Sequence, residues 1–260
     1  GIKADSMASY SPYLQWVVTV FMALFGVNFS VYYLLLMRKV GLAVRDEEVR
    51  LYFLILLASG ALIAWDIRDL TPDVSDRIRH AYFQVSSIMT TTGFSTVDFD
   101  AWPAFSKSIL LCLMAVGACA GSTGGGLKVM RLSIMCKSLR RAMRQTLRPN
   151  SVQLVRVNGK VVDDDVVHNV SAYLVAYVLI IFGSFVLISL DEFSVESNIS
   201  AVFACFNNIG PGFGSVGPMV NYDSFSNFSK LVLTLDMLLG RLEIFPLLAL
   251  ASRHSWSRRL

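Results

Sequence analysis

Charge and cysteine are scarce in this sequence. Only 16% of its 260 residues are Asp, Glu, Lys or Arg, against roughly 25% in an ordinary soluble domain. Residues 191–229 contain no Lys or Arg at all. The four cysteines, Cys112, Cys119, Cys136 and Cys205, show no CxxC spacing, so neither a zinc site nor a disulfide framework is indicated and they read as packing residues. The three histidines, His80, His168 and His254, lack nucleophile or metal-ligand spacing and read as interfacial. HExxH, GxSxG and paired intramembrane carboxylates are missing, so no enzymatic activity is expected. The first dozen residues lack the basic start, short apolar stretch and small-residue cleavage site of a signal peptide, and the chain is expected to begin within a longer protein.

What abounds is apolar. Hydrophobic residues make up 54% of the chain and its mean hydropathy is +0.55, more than one soluble core of this size needs. Five runs, residues 13–37, 51–65, 109–129, 166–190 and 228–251, are candidate spans, given that roughly 20 apolar residues cross a bilayer. The second is short, but Val49, Arg50 and Ile67 extend it if Arg50 snorkels. The net charge of +4 does not point to nucleic acid, because the basic residues cluster beside helix ends and not along one stripe. Arg38, Lys39, Arg45 and Arg50, then Arg131, Lys137, Arg140, Arg141, Arg144, Arg148, Arg156 and Lys160, then Arg253, Arg258 and Arg259 mark cytoplasmic segments. Asp191, Glu192, Glu196 and Asp223 lie on the opposite, outer side, with Trp16, Trp65 and Trp102 as outer anchors and Trp256 as an inner one.

Residues 51–129 and 168–251 repeat one plan: a spanning helix, a shorter apolar segment on the outer side ending at a glycine, and a second spanning helix. Residues 78–89 and 195–206 are candidate re-entrant helices, leading into Thr90-Thr91-Thr92-Gly93-Phe94-Ser95 and Asn207-Asn208-Ile209-Gly210-Pro211-Gly212. Either glycine loop can be read as an ordinary external turn. At membrane depth, non-helical backbone must instead be buried in protein or line a wet cavity. A pore loop meets that condition: backbone carbonyls replace a cation's hydration shell, and glycine lets the peptide planes turn toward the axis. The backbone carbonyls of Thr91, Thr92, Asn208 and Ile209 are then the candidate ion ligands, with Gly93 and Gly210 as filter glycines. The expected fold class is an all-α membrane protein of repeated helix, re-entrant pore loop, helix units.

Together with Gly121-Ser122-Thr123-Gly124-Gly125-Gly126-Leu127-Lys128 and Gly240-Arg241, these loops resemble the Trk/Ktr/HKT superfamily of potassium transporters, nearest to its TrkH branch, and the likeness covers nearly the whole chain. The resemblance implies four such repeats in pseudo-fourfold symmetry around one cation pore. On that comparison residues 1–47 hold the last helix of the second repeat and a linker, 48–147 the third repeat, 148–165 a cytoplasmic hairpin linker and 166–260 the fourth repeat. It implies potassium as the substrate, a bacterial inner-membrane location, a homodimer, a cytosolic ring of nucleotide-binding regulatory subunits, and an N-terminal half of the pore outside this chain. It also makes Gly121, Gly124, Gly125, Gly126 and Lys128 an intramembrane gating loop, with Arg241 beside the conduction path.

The residues leave alternatives open. The glycine run, which includes Gly117, suits either close helix packing or an unwound segment near a cavity. Arg241, costly in an apolar helix, is either functional or ion-paired with Asp236 or Glu243, although Glu243 lies off the same face. Residues 152–157 and 160–162 flanking Asn158-Gly159 read as a hairpin with a type I′ turn, either a solvated connector or a docking element. The basic cluster can hold topology, bind anionic lipid or dock a regulator. A sodium-permeable or ion-coupled symporter of the same family, or a carrier for a small organic solute, are the competing functions.

Overall fold

The computed structural model describes residues 5–148 and 153–242. In chain order its helices are α1 (Pro12–Phe25), α2 (Phe29–Leu36), α3 (Val40–Arg45), α4 (Glu47–Asp66), α5 (Val74–Met89), α6 (Ala104–Val116), α7 (Val129–Leu147), α8 (Asp164–Ile188), α9 (Val195–Phe206) and α10 (Asn227–Arg241). The strands β1 (Arg156–Val157) and β2 (Lys160–Val161) form one antiparallel hairpin. Asn158 and Gly159 turn it at φ +50° and +77°, the left-handed pair that a type I′ turn requires.

Among the described residues two helices are long and apolar enough to cross a membrane: α4 with its short extension, Glu47–Asp69, and α8 with its own, Asp164–Asp191. Each buries one narrow stripe. In α4 it is Glu48, Tyr52, Leu56, Gly60 and Ile63, and in α8 Val167, Val170, Tyr173, Tyr177, Ile181, Ser184 and Ile188. These are helical spacings of three and four. Leu54, Leu57, Val175, Leu179, Phe182 and Val186 are exposed on the other faces, as lipid contact demands. Little hydrophobic force joins helices in lipid, so close packing must. Gly60 supplies it, since a Cβ there would lie 2.4 Å from the Tyr82 ring.

The short helices α5 and α9 are the inverse, buried on almost every side. Asp73 caps α5 through Asp76 N, and Ser194 caps α9 through Ser197 N. The core forms around them as two apolar clusters, one for each helix, loop, helix unit. Ile209 and Phe213 of the second unit enter the first cluster and Leu127 of the first enters the second, with Phe213 edge-on to Phe99 at 5.7 Å. Near the starts of α6 and α9 Lys107 bridges Glu196 at 2.6 Å, and Asp100 accepts Gly214 N at 3.0 Å. The two units are interlocked.

Several expectations need correction. The first run is not one straight span: α1 and α2 are bent by 93° at a break between them, because Asn28 caps α2 through Ser30 N and restarts the helix there. The third run is helical only to Val116. The basic segment after it is largely a 19-residue helix, α7, which charge alone concealed. Trp102 is no interfacial anchor, being buried against Phe99. Cys119 and Cys205 are buried, whereas Cys112 and Cys136 are exposed and do not pack internally. His80 is half-buried, its Nδ1 2.9 Å from Thr96 Oγ1. Glu243, His254, Trp256, the C-terminal basic residues and the end of the fifth run lie outside the described residues, as does Val152 of the hairpin.

Candidate functional site

Thr90 to Gly93 and Asn207 to Gly210 leave the C-terminal ends of α5 and α9 by the same path. Thr90 N donates to Ser86 O, Thr91 N to Ile88 O, and the next two N–H groups to Ser87 O. Asn207 N donates to Phe203 O, Asn208 N to Cys205 O, and the next two to Ala204 O. The caps match too, Thr90 at φ −90°, ψ 3° and Asn207 at φ −86°, ψ 3°. Both loops then take positive φ at the first and third positions, Thr91 (+56°) and Gly93 (+77°), Asn208 (+57°) and Gly210 (+105°). A non-glycine residue in this region is uncommon, so its recurrence in two copies marks one backbone design used twice.

The loops face each other closely. A Cβ on Gly93 would stand 2.0 Å from Ile209 O. Among the described residues no hydrogen bond takes up the carbonyls of Thr91, Thr92, Asn208 or Ile209, whereas those just beyond are held: Ser87 Oγ donates to Phe94 O at 2.6 Å and Tyr222 OH to Gly210 O at 2.6 Å. The loops are braced from behind as well. Asn207 exchanges hydrogen bonds with the Tyr177 hydroxyl, and Asn208 Nδ2 donates to Met237 O at 3.1 Å. Both short helices direct the negative ends of their dipoles toward these carbonyls.

Residues 117–128 are non-helical and fold back on themselves. Leu127 N reaches Ala115 O at 3.1 Å and Val129 N reaches Ala118 O at 3.0 Å. Gly117 and Gly126 touch backbone to backbone, leaving no room for a Cβ on either. The far end of this segment rests on the two loops: Gly125 N donates to Thr91 Oγ1 at 2.9 Å, and a Cβ on Gly125 would lie 2.6 Å from Asn207 O. Lys128 Nζ donates to Gly124 O. Arg241 Nη1 reaches Thr123 O at 3.5 Å, a long contact. A cavity of about 250 Å³ lies here, lined by Ser122 to Gly126, Lys128, Arg131, Tyr173, Gly240 and Arg241. Asp236 is buried against Ser184 Oγ at 2.7 Å and not against Arg241.

The structure therefore brings together Thr91, Thr92 and Gly93 with Asn208, Ile209 and Gly210, and beside them Gly124, Gly125, Gly126, Lys128 and Arg241 around the cavity, whereas Gly121 packs on Asn28 at the α1–α2 bend. Sequence reasoning missed Tyr177, Tyr222 and Glu48, whose roles depend on partners far along the chain. Glu48 had one signal available, as the last of three consecutive acids, Asp46-Glu47-Glu48, within an otherwise basic inner segment.

Comparison with known proteins accords with this geometry. The TrkH family, described as cation transport proteins, matches residues 1–258. The Trk system potassium uptake protein TrkH of Salmonella typhimurium is 33% identical, covering 97% of this chain and 53% of that protein. TrkG of Escherichia coli is 31% identical over 97% of this chain and 52% of its own length. The crystal structure of the potassium transporter TrkH from Vibrio parahaemolyticus superposes with a TM-score of 0.87 at 30% identity, covering 97% of this chain and 55% of that one. The chain thus spans about half the length of the relatives it matches. On the strength of a family match over nearly every residue and a shared helical membrane fold, the chain belongs to the TrkH family of cation transport proteins.

Proposed function

We propose that this chain forms half of a potassium uptake pore, in which the carbonyls of Thr91, Thr92, Asn208 and Ile209 coordinate the permeating ion. The observation that carries this reading is the duplicated backbone of the two loops, with matched positive φ angles and uncommitted carbonyls brought face to face. Such carbonyls replace the hydration shell of a monovalent cation, and the dipoles of α5 and α9 add negative potential. Its relatives are potassium uptake proteins, which supports potassium as the ion carried. The division into parts of three repeats, at residues 1–47, 48–147, 148–165 and 166–260, belongs to this reading, and the remaining carbonyls come from a preceding half of the same pore.

Residues 121–126 act as the gate. Gly124 lies against Thr90 and Gly125 against Thr91 and Asn207, with no room for a Cβ on Gly125, and Lys128 and Arg241 place positive charge beside them, which raises the barrier to cations. In a bacterial inner membrane the chain assembles as a homodimer, and the hairpin with its basic flanks docks a cytosolic ring of nucleotide-binding subunits. Potassium-over-sodium selectivity of full-length Gly93→Ser and Gly210→Ser variants tests the filter assignment: unchanged reversal potentials in mixed salt reject it.

A further inference from the structure

Glu48 is buried, with only 2% of its surface exposed, at the inner end of α4. Its Oε1 accepts Ala120 N at 2.6 Å and Met130 N at 3.0 Å. These two N–H groups stand on either side of the glycine run, one in its entry and one in the first turn of α7. The Asn28 side chain, at the α1–α2 bend, lies against Gly121, where a Cβ would stand 3.3 Å from its Oδ1, and Phe29 N donates to Gly121 O at 3.1 Å. A carboxylate oxygen accepting N–H groups makes charge-assisted bonds, roughly twice as strong as neutral ones.

The two residues before Glu48 face the hairpin. Asn158 Nδ2 donates to Asp46 Oδ2 at 2.8 Å, and Glu47 N donates to Asn158 Oδ1 at 2.8 Å. Lys137 of α7 pairs with Glu47 and donates to Arg156 O at 2.7 Å. One turn of chain, Asp46 to Glu48, thus contacts the hairpin tip on one side and the glycine segment on the other.

We propose that Glu48 is the positioning residue that pins the glycine-rich segment beneath the two loops, and that the Asp46–Glu48 turn couples its position to the hairpin through Asn158. This rests on residues 121–126 being the gate. Motion imposed on the hairpin tip pulls on the turn, and release of the Glu48 bonds loosens both ends of the segment at once.

Cys119 is a native reporter, buried beside Ala120, while the exposed Cys112 and Cys136 serve as internal controls. In membranes holding the full-length transporter, labelling by a small maleimide is followed at each cysteine by peptide mass spectrometry, alongside rubidium flux. Glu48→Ala should accelerate Cys119 labelling about tenfold, the scale of one lost charge-assisted bond, with Cys112 and Cys136 unchanged. Glu48→Gln keeps an acceptor oxygen and should restore most of the protection. Asn158→Gly preserves the turn's positive φ while removing both side-chain bonds, and should accelerate Cys119 labelling by a smaller factor. Wild-type protection of Cys119 in both Glu48→Ala and Asn158→Gly overturns the proposal. If Glu48→Ala fails to insert, Asn158→Gly, on the exposed hairpin, decides by itself. Faster Cys119 labelling without increased flux upholds the anchor and rejects the gate.

Discussion

Gly93 stands where the two loops meet, and a side chain there should disturb both. At Gly93 a serine meets two obstacles. Its φ of +77° costs an L-residue roughly 1–2 kcal/mol. Its Cβ would also stand 2.0 Å from Ile209 O, about 1.4 Å short of the 3.4 Å of ordinary van der Waals contact. The obstructing atom is backbone and cannot rotate aside, so the Ile209 carbonyl must move by an appreciable fraction of an ion-coordination distance. At Gly210 the φ of +105° imposes the same backbone strain on a serine, and on the proposed reading the loop facing it belongs to the preceding half of the pore. Since about 1.4 kcal/mol of differential binding is a factor of ten, Gly93→Ser should reduce potassium-over-sodium preference by roughly tenfold or more. The assay is the shift in reversal potential under bi-ionic conditions, with surface expression measured in parallel. Unchanged selectivity in a Gly93→Ser variant that reaches the surface would refute the reasoning, because the contact with Ile209 O would then be irrelevant to selectivity.

Three further outcomes are expected. Gly125→Ala places a methyl 2.6 Å from Asn207 O and should dislodge the glycine segment, raising basal flux severalfold; a folded variant with unaltered flux would leave the segment a packing element only. Arg241→Ala removes a positive charge beside the cavity and its contact with Thr123 O, so conduction should rise, measured as rubidium uptake; loss of insertion without any rise in flux would indicate a structural role instead. Reversing the charges of Arg156 and Lys160 at the hairpin should weaken co-purification of a cytosolic regulator in a salt-dependent manner while leaving insertion intact, and unaffected pull-down, also after deletion of residues 152–162, would place docking elsewhere.

The sequence by itself determined the membrane class and marked the two short apolar segments with the glycine loops that follow them. Those depend on local composition, which a linear pattern carries: apolar runs, short apolar segments too brief to cross, and glycines at their ends. The reading of residues 195–206 coincides with α9, because Ser194 marks its start and Asn207 its end. For α5 it began four residues late, since Ser75, Asp76 and Arg77 form a polar first turn that periodicity does not distinguish from a loop. Only the tertiary structure decided that the first run bends at Asn28, that Gly93 abuts Ile209, and that the glycine segment lies on both loops. It alone revealed Tyr222 holding the Gly210 carbonyl and Glu48 reaching Ala120 and Met130. These contacts join residues a dozen to more than a hundred positions apart. Hydrophobic periodicity reports which face of a helix is buried, but a hydrogen bond to a distant backbone group depends on where two chain segments meet in space, and no local spacing encodes that meeting.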